Sequence, residues 1–297
     1  MFDWVKTSIV GVAILALPLV FYGNLLRHRP PRTNLQKSLF PGITYDRQAL
    51  DTPRPIVLHI VTLNLEEAKI RVGVTPGNPT SDRTEITART TTEFLREFNP
   101  ILAINANFFF PFRENTPWDY YPKSGDRANA VGLAISDSKT YSSAEKRWSA
   151  LCFSNRQRAQ IRSDGTCPPD TLNAVAGSAV LVANGQPTQL PRNTPNNDGL
   201  YSRTAVGIDE TGTKLWIVAI DDKQAFYSEG VTLKELTDLF LKLGVDAAIN
   251  LDGGGSTTLA IADEQKGAIV LNSPIHTNLP GRERPVANHI GFWVENE

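Results

Sequence analysis

The run from Ala247 to Leu259 limits the fold more tightly than any other part of the chain. Ala247–Leu251 is apolar, Asp252 ends it, and three consecutive glycines follow before Ser256 and the β-branched pair Thr257 and Thr258. Each glycine loses more backbone entropy on folding than any other residue, so three in a row are costly to order. A chain that keeps them beside a carboxylate needs bare backbone close to something. The run lacks the Gly-Lys-Ser/Thr ending of a phosphate loop and leads into a strand pattern, not a helix. It reads as strand, acid, open loop, strand. That makes Asp252 either a turn-capping aspartate or a candidate active-site acid.

The same local order occurs twice. Thr90-Thr-Thr-Glu93 is a capping-box pattern. It opens a helix with Phe94, Leu95 and Phe98 on its apolar side, stopped at Asn99-Pro100. The strand Ile101–Ile104 follows, with Asn105 and Asn107 at its end. Thr232-x-x-Glu235 opens a second helix with Leu233, Leu236, Phe240 and Leu243 on one face. Val231 is placed to staple against Leu236, Gly244 is the stop, and Ala247–Leu251 ends in Asn250 and Asp252. Two matching units suggest a duplicated half whose polar ends converge, as ligands gather at strand ends in open α/β sheets.

Further strands are expected at Ile56–Leu65 and at 68–75, read as a pair, and at Val131–Ile135, Val175–Val182, Ala205–Ile208, Leu215–Ile220 and Val286–Val294. The expected class is therefore α+β (mixed α/β), a strand-rich single catalytic domain with few helices. The aromatic, proline-containing stretch Phe110–Asp126 reads as a long loop lining a pocket mouth.

The N-terminus is of another kind. Residues 1–7 form a short flank, and Ser8–Leu26 is uncharged, close to the ~20 apolar residues that a spanning helix needs. It lacks a clean Ala-x-Ala cleavage site, which favours an uncleaved anchor over a signal peptide. Residues 27–54, rich in Pro, Arg and Asn, read as a linker to a domain over 55–297. Orientation stays open at this point. Arg27, Arg29 and Arg32 pull the body toward the cytoplasm. Cys152 and Cys167 could close a disulfide, which needs an oxidising compartment, or stand as two buried thiols.

With 30 basic against 31 acidic residues and no basic stripe, nucleic acid is not the expected partner. No G-x-S-x-G elbow or H-E-x-x-H motif occurs, the four histidines are scattered, and His59 lies in an apolar strand as a core residue. What is left is carboxylates, arginines and exposed amides. These are Asp252 with Ser256, Arg203-Thr204 before one strand, Asp221-Asp222 after another, Ser228 before the second helix, and Glu283 and Arg284 near the last strand.

Four segments in order carry a family resemblance: Ser202-Arg-Thr-Ala-Val-Gly-Ile-Asp209, Tyr227-Ser-x-Gly-Val-Thr-Leu-x-Glu-Leu236, Asn250-Leu-Asp-Gly-Gly-Gly-Ser-Thr-Thr258 and Arg284-Pro-Val-Ala-Asn288. The set resembles the phosphodiester glycosidase family, whose bacterial members are associated with exopolysaccharides, over roughly residues 95–295. The resemblance implies hydrolysis of a sugar C1–O–phosphate linkage, with a phosphorylated saccharide as partner and no cofactor. Asp252 is then the nucleophile or base and Glu283 its partner. Arg203 and Arg284 hold phosphate, the amides of Gly253, Gly254 and Gly255 and the neighbouring Thr204, Ser228 and Ser256 bind substrate, and Asn105, Asn107 and Asn288 bind sugar hydroxyls. The family commonly has Asn-Gly-Gly-Tyr/Phe-Phe where this chain has Asn105-Ala-Asn-Phe-Phe109. Membership also implies an extracytoplasmic, membrane-anchored or secreted domain, which fits a Cys152–Cys167 disulfide. Two rival readings are a non-catalytic saccharide-binding protein and a metal-dependent phosphodiesterase using Asp221, Asp222 and Asp252 as oxygen ligands.

Overall fold

The computed structural model describes residues 20–66, 69–78, 85–190 and 198–294. Residues 1–7 and the greater part of the apolar run 8–26 lie outside them. Residues 20–27 are helical, and among the described residues no helix is long and apolar enough to cross a membrane.

Both capping boxes form. The Thr90 hydroxyl accepts from the Glu93 amide, and Glu93 Oε2 accepts from the Thr90 amide at 2.7 Å. Thr232 and Glu235 repeat the arrangement at 3.2 and 2.9 Å. Each box satisfies two of the amides that a helix start leaves without partners. The first helix, Thr91–Phe98, ends on Asn99 at φ 55°, and the second, Leu233–Leu243, on Gly244 at φ 72°. Phe94 and Leu95 pack onto Ala103 and Ala260, while Leu233, Leu236 and Phe240 pack onto Leu181, Val182 and Ala248. Each helix thus covers the outer face of the sheet that holds the strand following it.

Three larger sheets carry most of the chain. The first has eight strands, in the order Leu35–Phe40, Ile43–Leu50, Ile56–Asn64, Lys214–Ile220, Arg203–Ile208, Ala247–Asn250, Ala179–Ala183 and Gln186–Pro187. The second has five: Gly267–Val270, Leu259–Asp263, Leu102–Asn105, His289–Val294 and Ile70–Val74. The third, also five-stranded, runs Lys139–Ser142, Ala134–Ser136, Thr171–Gly177, Ser149–Ser154 and Ala159–Arg162. Their inner faces share one core, with Ile43, Val61 and Leu63 from the first, Leu102, Ile104 and Phe292 from the second, and Leu151, Phe153 and Val175 from the third.

The pairings along these sheets are antiparallel. The mixed α/β part of the expected class is corrected accordingly: this is a strand-rich, mostly β fold with few helices. A parallel sheet needs a crossover of a dozen or more residues between each pair of strands, and this chain rarely allots one.

Local expectations change as well. Residues 35–50, read as linker, form two strands of the first sheet, because Ile43 and Tyr45 alternate inward into the core under a Pro- and Arg-rich composition. Ile56–Asn64 and Ile70–Val74 are not a pair. The first is hydrogen-bonded to Ile43–Leu50 and Lys214–Ile220, the second to His289–Val294, so the chain turns a corner between sheets. The run Val175–Val182 breaks at Ser178, whose amide donates to the Asn250 carbonyl at 2.9 Å, and the two pieces enter different sheets. Val131–Ile135 and Val286–Val294 contract to Ala134–Ser136 and His289–Val294, Val286 keeping a single bridge to Arg89.

Candidate active site

The polar ends of the two helix–strand units meet. Asn105 Nδ2 donates to the Asp252 carbonyl at 2.6 Å, and the Asp252 amide donates to the Ala106 carbonyl at 3.0 Å. Asn105 Oδ1 accepts from Thr204 Oγ1 at 2.9 Å and from the Thr258 amide at 3.1 Å. Asn107 reaches the carbonyls of Val131 and Leu133, while its amide donates to Asn288 Oδ1 and its Oδ1 accepts from Asn288 Nδ2. Asn105, Asn107, Thr204 and Asn288 are all fully buried. They form the frame under the site and present no free edge to a ligand. Neither Ala106 nor Asn107 is in a left-handed conformation, so this strand end needs no glycine.

A cleft of about 790 Å³ opens above that junction. Of the expected site residues, Arg203, Asp252, Gly253, Gly254, Gly255 and Arg284 line it. Two do not. Glu283 turns to the first helix, where its carboxylate accepts from the Thr92 amide at 3.0 Å and the Thr92 hydroxyl at 2.6 Å. As the partner acid of Asp252 it is displaced by this capping role, since a carboxylate at a helix start answers both the orphan amides and the helix dipole. Ser228 is fully buried between the Val57 amide (3.0 Å) and the Asp221 carbonyl (2.5 Å).

Asp252 is 7 % exposed at the cleft floor. Burial raises its carboxyl to about 6, against the pull of Arg284, the Ser256 hydroxyl and the Gly253 amide. Arg284 is held on three sides: Nε donates to His276 Nδ1 at 3.3 Å, Nη1 to Ser256 Oγ at 3.1 Å, and Nη2 pairs with Glu114. Its guanidinium also lies over the Phe112 ring, 4.7 Å from the centroid. Burial first, then Arg284, lowers His276 to about 4, which keeps it neutral and able to accept. Arg203, which also lines the cleft, donates to the carbonyls of Val231 and Gly199, both at 3.1 Å, and lies 5.2 Å from the Tyr201 ring centroid. Burial lowers Arg203 to about 10, so it is still a cation at neutral pH.

Each glycine of the triplet has its own reason. A Cβ on Gly253 would stand 2.6 Å from the Ser202 carbonyl oxygen, Gly254 has φ +61°, and a Cβ on Gly255 would meet Arg284 Nη2 at 2.5 Å. The close approach anticipated from the sequence is to the protein's own arginine. The Gly254 amide donates to the Ser202 carbonyl at 2.9 Å and the Gly253 amide serves Asp252, so the loop offers a ligand fewer amides than its glycine count implies.

Asp221 is committed elsewhere. Its carboxylate takes His59 Nε2 at 3.0 Å, Asn272 Nδ2 at 3.0 Å and the Ser273 amide at 2.9 Å, and His59 Nδ1 lies 2.7 Å from Tyr45 Oη. The core histidine expected at position 59 is therefore part of a buried polar chain. Asp222 is buried beside Ser202 and Arg203, and burial raises its carboxyl. Among the described residues no three His, Cys, Asp or Glu side chains gather to hold a metal ion.

Sequence reasoning passed over Glu114, Trp148, Tyr201 and Lys223, all of which line the cleft. Glu114 and Phe112 belong to the loop expected at the pocket mouth, so the segment was legible and the acid within it was not. The other three carry no local motif. Cys152 and Cys167 form a disulfide with Cα atoms 5.8 Å apart.

A family model described as phosphodiester glycosidase matches residues 98–293. A search of curated proteins finds no match. Among solved structures, a hypothetical protein from Synechocystis superposes with a TM-score of 0.61 at 16% identity, covering 90% of this chain and 64% of that one. This chain thus spans just under two thirds of that relative. The catalytic domain of zebrafish N-acetylglucosamine-1-phosphodiester alpha-N-acetylglucosaminidase, auto-inhibited by its pro-peptide, superposes with a TM-score of 0.60 at 18% identity, covering 91% of this chain and 92% of that one. At these identities the likeness is one of fold.

Proposed function

The chain belongs to the phosphodiester glycosidase family, and from that premise we propose that it hydrolyses a sugar C1–O–phosphate diester to a free sugar and a phosphomonoester. The observation that carries the reading is Asp252, a buried carboxylate in a cleft that two guanidinium groups, of Arg203 and Arg284, also line. The zebrafish enzyme, named for an N-acetylglucosamine-1-phosphodiester, supports the linkage class.

The chemistry suits the geometry. Breaking the C1–O bond builds positive charge on the sugar ring, which a carboxylate stabilises or attacks. The departing group is a phosphomonoester with a second pKa of about 6, so it leaves as a stable anion and makes little demand for a proton. Positive charge at the leaving side matters more. Arg203 and Arg284 supply it, and a guanidinium matches phosphate oxygens in a fork. Asp252 serves as nucleophile or base, and Ser256 and Arg284 orient it. The disulfide supports an extracytoplasmic site, because such bonds persist in oxidising compartments. The apolar run Ser8–Leu26 supports an anchor or a signal segment.

The deciding experiment offers a panel of sugar-1-phosphodiesters in ¹⁸O-labelled water and compares wild type with Asp252→Asn. Cleavage at C1 puts the label on the sugar; cleavage at phosphorus puts it on the phosphate. Label on the sugar, with turnover lost by about three orders of magnitude or more in the variant, is expected. Label on phosphate moves the protein to the phosphodiesterase reading, and binding without turnover moves it to the saccharide-binding one.

A further inference from the structure

The aromatic lining of the cleft divides in two. Phe112 lies under the Arg284 guanidinium at 4.7 Å and Tyr201 near that of Arg203 at 5.2 Å, so each serves a cation. Phe108 and Trp148 face each other instead, with ring centroids 5.2 Å apart and planes at 56°. Among the described residues no cation lies over either ring. Both are only partly buried and both line the same cleft as Asp252.

The backbone behind Trp148 is fixed from outside. A Cβ on Gly165 would stand 2.3 Å from the Trp148 carbonyl oxygen, so the loop carrying Gly165 packs directly on it. That loop is closed by Cys167 onto Cys152, and Cys152 lies in the strand Ser149–Ser154 that begins at the residue after Trp148. The Trp148 amide donates to the Glu145 carbonyl at 3.3 Å. A disulfide-braced loop therefore sets the position of one indole ring at the cleft wall.

We infer that Trp148 and Phe108 form a subsite for the neutral part of the ligand, a pyranose ring stacked by its C–H face. The inference rests on the proposed substrate class and adds to it where the sugar lies. A sugar phosphodiester joins an anion to an uncharged ring, as the cleft joins cations to two aromatic rings that carry none. Axial C–H bonds give one face of a pyranose an apolar, slightly positive character, which the negative face of an aromatic ring attracts. The cleft's cations are Arg203, Arg284 and Lys223, and these would hold the phosphate. Its volume of about 790 Å³ leaves ample room for a ring beside the phosphate.

The test measures calorimetric binding of glucose, mannose and N-acetylglucosamine, and separately of inorganic phosphate and an alkyl phosphate, to wild type, Trp148→Ala and Trp148→Phe. A neutral sugar is expected to bind the wild type, to bind Trp148→Ala about tenfold more weakly, the upper end of what one aromatic contact supplies, and to bind Trp148→Phe nearly as well. Inorganic phosphate should bind all three alike. Unchanged sugar affinity in Trp148→Ala overturns the inference. So does loss of phosphate affinity to the same extent, which would mark a collapsed cleft, or an effect confined to the alkyl phosphate, which would give the wall to the aglycone. No turnover enters the readout. A protein that binds sugar through Trp148 yet hydrolyses nothing keeps this subsite and loses the proposed reaction.

Discussion

Asp252 carries a consequence for stability whose sign runs against the usual carboxylate. Its folded pKa, about 6, lies above the unfolded value near 3.9, so the fold favours the protonated form. Between those values the folded chain keeps a proton that the unfolded chain has released, and stability falls as pH rises through the window. Above pH 6 the cost is complete, at most about 3 kcal/mol. Asp252→Asn should therefore be inactive yet more stable than wild type at pH 8, with the difference vanishing below pH 4. His276 acts in the opposite sense. Held near 4 by burial and Arg284, it refuses a proton that the unfolded histidine accepts below about 6.5, so its contribution is lost as pH falls. His289, which burial and then Arg89 lower further, adds to that side. In wild type the two slopes oppose each other between pH 4 and 6. In Asp252→Asn the histidine slope should stand alone, so urea midpoints measured from pH 4 to 8 ought to rise more steeply with pH than in wild type. Equal slopes in the two proteins would remove Asp252 as a buried, proton-holding acid. A rise of kcat/KM with pH, half complete near 6, is the matching expectation for its role as nucleophile or base.

At the scale of elements, the sequence was most legible where a pattern is local. Both capping boxes, both helices and the acid–glycine loop lie within runs of a few residues whose physics is complete in themselves. What a polar residue at a strand end faces is not local. Asn105, Asn107 and Asn288, which the resemblance assigns to sugar hydroxyls, and Thr204, which it assigns to substrate, interrupt or flank apolar runs. In the structure that interruption marks buried amides and hydroxyls which bond to one another across two sheets. Glu283 shows the same limit. It precedes Arg284 by one residue and so faces the other way, toward the helix Thr91–Phe98. If it is a cap, Glu283→Ala should cost about 1 kcal/mol in unfolding free energy, with kcat and KM unchanged. A large fall in kcat at intact stability would return Glu283 to the chemistry. Glu114, the acid that does line the cleft, escaped notice because it lies in a two-residue strand of an irregular loop, where no periodicity exists to be read.

For the whole molecule, strand content was legible and strand partnership was not. Alternation identifies a strand but says nothing of which neighbour it takes. Ile56–Asn64 and Ile70–Val74 follow each other in sequence and still part into different sheets, because each completes a longer ladder elsewhere. The cysteines were the opposite case, visible in sequence but undecided between thiols and a bridge. The disulfide now joins the strand Ser149–Ser154 of the third sheet to the Gly165 loop, across a sequence separation of 15. A loop of that length removes about 3 kcal/mol of freedom from the unfolded chain in the entropic account. Mild reduction of the wild type should lower the unfolding free energy by roughly that amount. The urea m-value should rise with it, because a chain released from its cross-link exposes more surface on unfolding. The strand itself should stay folded, since Leu151 and Phe153 belong to the shared core rather than to the loop. Asp252 and Arg284 lie in loops outside the third sheet and Arg203 in a strand of the first, so phosphate affinity should survive reduction. Sugar affinity should not survive in full, because the loop bracing Trp148 is then tied down only by its own hydrogen bonds. Reduction that weakens phosphate and sugar binding equally would mean that the disulfide holds the whole cleft together, and reduction that changes neither stability nor binding would leave it without the structural role assigned to it.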